Sequence, residues 1–583
     1  MALILFHTEK VKRLLADRKS VGAELFVLAG VAAVIGGLAL IGERVAAPMP
    51  EKFEISLSLW ALPKYTAFTL LRGVVAYLLS LLFTLVYGIV AAHHRRAERV
   101  MVPAMDVFQS LPVLTFLPGL VLVFVHLFPT RQVGLELVAI ITIFTGQVPN
   151  MAFSFFGSVR GVPGPLREVT VIQRLSGWQV FRLLEVPASM IGLVWNSMMS
   201  MAGGWFFITT IESFDPYKLP GLGSFMSEAQ AAGNVRAQVG AVIAMIAMIV
   251  FLDQVVWRPI VAWSERFKLE DTAAADQPKS WVLDMFHRSR LLVLAHRLAA
   301  GRGRARGGPG IVAKRPPDPR RERAVAVVFQ TCQWAVLIGL AAVVAWGTWA
   351  LIRLLGRVPL VSASHADWRF VVLALLASFG RVAAAVVLGG LWTLPAGILI
   401  GLSPRWSQRL QPIVQVVASF PAPMLFPWVV AGVAFFHVPF TFGCIALLLL
   451  GTQWYVLFNV IAGAMAIPSE LREAARVYRL SRWTVWRELY IPGVFPYLVT
   501  GLVTAAGGAW NATIVAEYFQ MGGYDVRAFG LGATISDASN AAHPNAPLLA
   551  ASAVTMAVFV VGVNRVLWKR LYRLAASRYS LAS

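Results

Sequence analysis

Four ionisable residues stand at matched places in long apolar surroundings: Arg72 and Arg381, 309 positions apart, and Glu212 and Glu517, 305 apart. A charge at the centre of a hydrocarbon layer costs ~2.5–3.5 kcal/mol by insertion scales, so it is kept where it pairs or meets a solute. Trp205, Thr209 and Glu212 fall at i, i+4 and i+7 and share a helix face; Trp510, Thr513 and Glu517 do so at i, i+3 and i+7. A repeated polar face of this kind suits a lined cavity between two halves. It also suits helix packing, with Gly203, Gly204, Gly507 and Gly508 allowing close approach. If the arginines begin inward-running spans and the glutamates end outward-running ones, all four charges share one depth. Each half then pairs its own, Arg72 with Glu212 and Arg381 with Glu517. The alternatives are arginines turned toward a central axis to meet an anion, or side chains that snorkel to the interface.

A second matched set is charged and lies between apolar segments. Residues 166–187 read LREVTVIQRLSGWQVFRLLEVP and residues 471–492 read LREAARVYRLSRWTVWRELYIP, again 305 apart. Each is expected to fold as a short helix over 166–180 and 471–485, held by Pro187 or Pro492 before the next span. Apolar residues on such a helix can insert into a partner's groove. Glu168 and Glu473 sit early in it, where the helix dipole favours an acid. A connector lying on lipid is the simpler alternative, but it does not require charge and spacing to be duplicated.

Other chemistry is missing. A phosphate-cradling loop needs Gly-Lys-Ser or Gly-Lys-Thr after its glycines, and no Gly-Lys pair occurs anywhere in the chain. There is no HExxH and no Cys/His cluster. The two cysteines, Cys332 and Cys444, lie in apolar runs and read as small core residues. No enzyme is expected. Gln147, Asn150, Gln453 and Asn459 add polarity to the fourth spans, where such groups serve neighbouring backbone.

These residues must be positioned by membrane spans. The 583 residues are 58% hydrophobic and only 14% charged, well below the ~25% charge of soluble domains. Apolar runs reach the ~20 residues a spanning helix needs. The expected fold is all-α and polytopic, with about twelve spans. They fall at 25–42, 66–92, 108–128, 134–157, 188–212 and 237–263, then at 327–355, 370–402, 413–436, 438–463, 493–516 and 547–569. The net charge of +22 follows the positive-inside rule rather than nucleic-acid binding: the arginine-rich segments all fall on one side, which places both termini in the cytoplasm. Residues 1–263 and 327–583 form two six-span repeats, joined by a basic linker over 264–326. The Arg-, Gly- and Pro-rich stretch 301–323 is expected to be disordered. Residues 280–299 are either an interfacial helix on anionic lipid or a solvated tether. Six spans per half give both halves one orientation, related by a pseudo-two-fold along the membrane normal, with any pathway on that axis.

The paired segments resemble the permease subunits of bacterial binding-protein-dependent ABC importers. That family carries Glu-Ala-Ala, three residues, Gly, nine residues, then Ile-x-Leu-Pro. Here the second copy has Glu473-Ala474-Ala475, Arg479 and Leu489-x-Ile491-Pro492; the first has Glu168-Val169-Thr170, Arg174 and Leu184-x-Val186-Pro187. Arginine replaces the glycine in both. The Pro-x5-Pro of 112–118 and 421–427, the tryptophan-to-glutamate fifth spans and the Gly-Leu-Gly of 221–223 and 530–532 are similar to the nitrate, sulfonate, taurine and bicarbonate branch, in a duplicated single-chain form. The resemblance implies the type I importer permease fold and coupling to an ATPase through Glu168, Arg174, Leu175, Glu473, Ala474, Ala475, Arg479 and Leu480. It implies two copies of a partner ABC ATPase that bind ATP and Mg, no cofactor in this chain, an external or periplasmic solute-binding protein, and a place in the bacterial inner membrane. The competing reading is a twelve-span secondary transporter, which needs a coupling carboxylate near midplane. Glu212 and Glu517 lie ~37 Å along a helix from Pro187 and Pro492, at 1.5 Å per residue, which puts them near the outer boundary instead.

Overall fold

The computed structural model describes residues 53–214, 218–267, 344–362, 367–521, 524–540 and 545–579, with a few isolated positions besides. The expected spans at 25–42 and most of 327–355, and the linker 264–326, lie almost wholly outside the described residues. Of the latter span, a helix over Val344–Leu355 is seen.

The first half begins with α1 (Leu62–His93), entered at Pro63, where a missing N–H costs nothing. It is followed by α2 (Arg95–Ser110), α3 (Leu117–Leu127), α4 (Val133–Arg160), α5 (Gly164–Ile172), α6 (Val186–Glu212), α7 (Leu222–Ala231) and α8 (Val235–Leu252). The second half repeats the order as α9 (Trp368–Leu402), α10 (Pro404–Ser419), α11 (Phe426–Phe435), α12 (Phe440–Met465), α13 (Ser469–Val477) and α14 (Ile491–Ala516). A hairpin of β1 (Tyr518–Met521) and β2 (Tyr524–Arg527) comes next, pairing Tyr518 with Arg527. It leads to α15 (Leu531–Asn540), α16 (Ala546–Val563) and α17 (Lys569–Arg578). Among the described residues, eight helices are long and apolar enough to cross a membrane, or ten if two bent pairs each count as one span.

Those bent pairs correct the straight third spans expected at 108–128 and 413–436. The chain turns by 80° between α2 and α3 and by 89° between α10 and α11. The cause is local. Pro112 and Pro421 exclude their predecessors from the helical region, and Leu111 (φ −81°, ψ 128°) and Phe420 (φ −74°, ψ 129°) are extended. Apolar content alone does not register this break.

Within each half, α4 packs on α1 and α6, and α12 packs on α9 and α14. Gly73 lets α1 reach Trp205: a Cβ there would stand 2.8 Å from the indole ring. Across the halves, the broken spans are exchanged. Ser110 accepts from Asn564 Nδ2 at 2.5 Å, Leu114 N–H donates to Asn511 Oδ1 at 3.2 Å, and Gln415 reaches Met198 Sδ at 2.8 Å. Cys444 is buried, as expected, with its thiol on the Ala516 carbonyl at 3.2 Å; Cys332 lies outside the described residues.

Candidate functional site

Both expected ion pairs are present, and both are buried. Arg72 Nη1 lies 2.8 Å from Glu212 Oε1, and Arg381 Nη1 lies 2.5 Å from Glu517 Oε1. Each glutamate ends its span helix and is fully enclosed. Each also accepts the amide of the second glycine in Gly-Leu-Gly: Gly223 to Glu212 at 2.9 Å and Gly532 to Glu517 at 2.8 Å. A hydroxyl completes each cradle. Thr69 donates to Glu212 at 2.8 Å and accepts from Leu222 N–H at 2.9 Å; Ser378 does the same for Glu517 and Leu531 at 2.9 and 2.8 Å. The first glycine is needed for contact, since a Cβ on Gly221 or Gly530 would stand 2.1 or 2.3 Å from the carboxylate. Each clamp thus fastens α1 or α9 to the end of the fifth span and to the helix after it.

The clamps differ in charge. Arg72 is also held by Glu136 on α4, through Nε at 2.6 Å and Nη2 at 2.7 Å. The position equivalent to Glu136 is Thr441, whose backbone carbonyl takes Arg381 Nε at 3.1 Å; the Phe529 carbonyl takes Nη2. One guanidinium therefore serves two carboxylates in the first half and one in the second. Sequence reasoning passed over Glu136, Thr69 and Ser378. The signal was available: Glu136 is an acid inside an apolar span, and Thr69 and Ser378 keep the spacing of the arginines.

On the opposite face, the segments 166–180 and 471–485 are not single helices. α5 ends at Ile172 and α13 at Val477, and the chain turns through Arg174 and Arg479, both at φ 49°. Leu175 N–H returns to Thr170 O at 3.0 Å and Leu480 N–H to Ala475 O at 3.1 Å, the six-to-one bond of a Schellman turn, whose left-handed residue is usually glycine. Ser176 and Ser481 then cap a new helix. That helix runs without a stop through Pro187 or Pro492 to the end of the fifth span, as rods over Gly177–Glu212 and Arg482–Ala516. A wide π turn, Phe181–Glu185 or Trp486–Tyr490, precedes each proline. The proline's missing donor falls where the helical bonding is already disturbed. The expected proline stop is replaced by this bulge.

Glu168, Glu473, Arg174 and Arg479 are exposed, as is Leu480, while Leu175 and Ala474 are half-buried and Ala475 is buried. Ala475 thus supports its helix from within. The solvent-facing apolar residues are Val171 and Ile172 on one copy and Val477 and Tyr478 on the other, each more than 70% exposed.

Between the halves lies a cavity of about 130 Å³. Equivalent residues face one another across it: Leu117 and Phe426, Thr209 and Ile514, Thr210 and Val515, Ser227 and Ser536. The cavity therefore sits on the pseudo-two-fold. Of the polar residues expected on a pathway, Thr209 faces it and Trp205 lines a smaller neighbouring void of about 20 Å³. Trp510 and Thr513 are buried away from both, and Arg72, Glu212, Arg381 and Glu517 are engaged in the clamps. By the 305-residue register the partner of Thr209 is Ile514, not Thr513, so the polar face is not truly duplicated.

These features define an all-α, multi-pass membrane protein made of two repeats around an axial cavity. The chain belongs to the family described as binding-protein-dependent transport system inner membrane component, which matches it twice, over residues 84–256 and 393–579. It is 31% identical over 202 residues to the nitrate import permease protein NrtB of Leptolyngbya laminosa, covering 35% of this chain and 66% of that protein. It is 32% identical over 197 residues to the bicarbonate transport system permease protein CmpB of a Synechocystis species, covering 33% and 64%. It is 29% identical over 143 residues to the taurine transport system permease protein TauC of Escherichia coli, covering 24% and 50%. The matches span 50 to 66% of the length of these relatives. The relatives are permease components of transporters rather than enzymes, and the secondary-transporter reading falls with the family match.

Proposed function

We propose that this chain is the membrane-spanning permease component of an ATP-driven importer that moves a small anionic solute inward. ATP and Mg are bound by two separate ATPase subunits, which grip α5 and α13 on the cytoplasmic face. A soluble binding protein delivers the solute at the clamped face, and the solute passes between the halves through the axial cavity. The setting is the bacterial inner membrane, with both termini and the 264–326 linker in the cytoplasm. The observation that carries this reading is the pair of helix–turn–helix elements, α5 and α13 with their left-handed arginines. They repeat one geometry on the face away from the clamps, and each is continuous with a fifth span that borders the cavity. The printed names of the relatives, which mention nitrate, bicarbonate and taurine, support an anionic group.

Photo-crosslinking tests it. A crosslinking amino acid placed at Ile172 or at Val477 should capture an ABC ATPase in cells that express the whole system, and a cysteine at Gly310 should be labelled only from inside. Capture of no ATPase from either site, or external labelling at residue 310, would refute the arrangement.

A further inference from the structure

The two halves join each clamped glutamate to its Gly-Leu-Gly by unequal lengths of chain. The first half uses eight residues, 213–220, and the second uses twelve, 518–529, which carry the β1–β2 hairpin. A two-stranded hairpin is marginal by itself, so what it rests on decides how it is held. Its base and second strand belong to the second half. Arg381 spans the base, with Nη1 on the Glu517 carboxylate just before β1 and Nη2 on the Phe529 carbonyl just after β2. Ala528 N–H closes the base on the Glu517 carbonyl at 2.9 Å. From β2, Arg527 pairs with Asp537 of α15 at 3.3 Å and lies over the Tyr518 ring, 5.5 Å from its centroid. The first strand reaches the boundary between the halves. It packs on α7 of the first half as well as on α14 and α15 of its own. Tyr518, Phe519 and Gln520 share the cavity wall with Met226, Ser227 and Gln230 of α7. They lie beyond the end of α14, so they wall the end of the cavity nearest the clamped face. Among the described residues, the hydrogen bonds and ion pairs of the hairpin all stay within the second half. Packing alone therefore holds it to α7, and packing can part without stranding a buried polar group.

We infer that the hairpin is a one-sided strap: it rides with the second half and closes the clamped end of the axial cavity by resting β1 on α7, so that entry requires β1 and α7 to part. The first half supplies only the seat, because its own loop is shorter. This rests on the permease reading, which has the solute enter at the clamped face, and it adds what closes the cavity there.

Thiol labelling of the full chain in lipid nanodiscs tests the strap without any ATPase. In a Cys332→Ala background, Thr210→Cys reports access to the cavity, and the buried native Cys444 reports unfolding. A membrane-impermeant methanethiosulfonate should modify Thr210→Cys slowly while the hairpin is intact. Residues 518–529 are then exchanged for the first half's 213–220 segment, SFDPYKLP. The exchange keeps a carbonyl for Arg381, since the Pro220 carbonyl already accepts from Arg72 Nη1 at 2.8 Å. Labelling should become about fivefold faster or more, the effect of an eased local opening, while Cys444 stays unreactive. Phe519→Ala keeps the loop length, loosens β1, and should raise the rate in the same direction; it serves if the exchange exposes Cys444. Unchanged rates in these variants would overturn the strap. Cross-linking of the chain assembled with its ATPase subunits then shows which half the hairpin follows. Gln520→Cys is joined by o-phenylenedimaleimide to Ser227→Cys on α7 or to Ser536→Cys on α15, without nucleotide and with ATP and vanadate. The yield to Ser227→Cys should change about fivefold or more between the two states, and the yield to Ser536→Cys should not. Constant yields in both pairs, or yields that change together, would overturn the inference. Failure of the ATPase to assemble would count against the permease reading and leave the labelling test standing.

Discussion

Leu114 gives its backbone N–H to Asn511 Oδ1 at 3.2 Å across the boundary between the halves, and the equivalent place in the second half is Pro423, which has no N–H to give. The counterpart of Asn511 is Phe206, an apolar residue packed on the core around Met424. Each half has solved the same contact in its own way, one by satisfying a donor and the other by deleting it. Asn511→Leu strands the Leu114 donor and should cost about 1–3 kcal/mol, the penalty of an unmade buried hydrogen bond. Adding Leu114→Pro should recover most of that loss. Thermal unfolding of the single and double variants in nanodiscs measures the coupling; simple additivity would show that the bond contributes nothing.

The unequal clamps predict unequal responses. Glu517→Gln leaves Arg381 buried with no carboxylate, whereas Glu212→Gln leaves Arg72 its two bonds to Glu136. Breaking a buried pair costs about 3–5 kcal/mol, and Glu517→Gln should fall in that range with Glu212→Gln clearly milder. Glu136→Thr, which installs the residue of the second half, should be tolerated within about 1 kcal/mol because a one-to-one clamp already serves there. Unfolding midpoints at matched lipid composition decide the order. Equal losses at Glu212 and Glu517 would show that Glu136 gives Arg72 no reserve.

The arginines at φ 49° are strained where the family pattern has glycine. Left-handed backbone costs a side-chain-bearing residue roughly 1–2 kcal/mol. Arg174→Gly and Arg479→Gly should therefore each firm the turn by about 1 kcal/mol. Amide exchange at Leu175 and Leu480 reports this locally, since their N–H groups close the two turns. Exchange at those amides should slow about fivefold, the effect of ~1 kcal/mol; faster exchange would show that the arginine side chains hold the turns.

Much of this architecture is legible in the sequence, and the gaps have physical causes. The Arg–Glu pairing follows from matched spacings and shared depth, and depth is a one-dimensional quantity. The 80° and 89° breaks are signalled by Pro112 and Pro421 but vanish when a span is judged by apolar content alone. Glu136 is hidden because one acid barely alters the hydropathy of a 28-residue helix. The uneven cavity wall is hidden because Thr209 and Thr513 share similar helix faces, while only a gapless register sets Thr209 against Ile514. The helical continuity through Pro187 and Pro492 depends on π turns, which no residue pattern in the segment announces.

The central claim is that α5 and α13 transmit ATP hydrolysis to the cavity. The direct measurement is ATP-dependent solute uptake by vesicles that hold the chain with its ATPase subunits and binding protein, in wild type and in Glu473→Lys. Glu473 is exposed on α13, so the substitution leaves the permease core unstrained. Uptake should fall about tenfold or more, a loss of ~1.4 kcal/mol or above, through weaker ATPase binding or hydrolysis that no longer drives transport. Glu168→Lys should be milder, since the first copy carries Val169 and Thr170 where the second has Ala474 and Ala475. Normal uptake by Glu473→Lys with unchanged ATPase affinity would contradict the account.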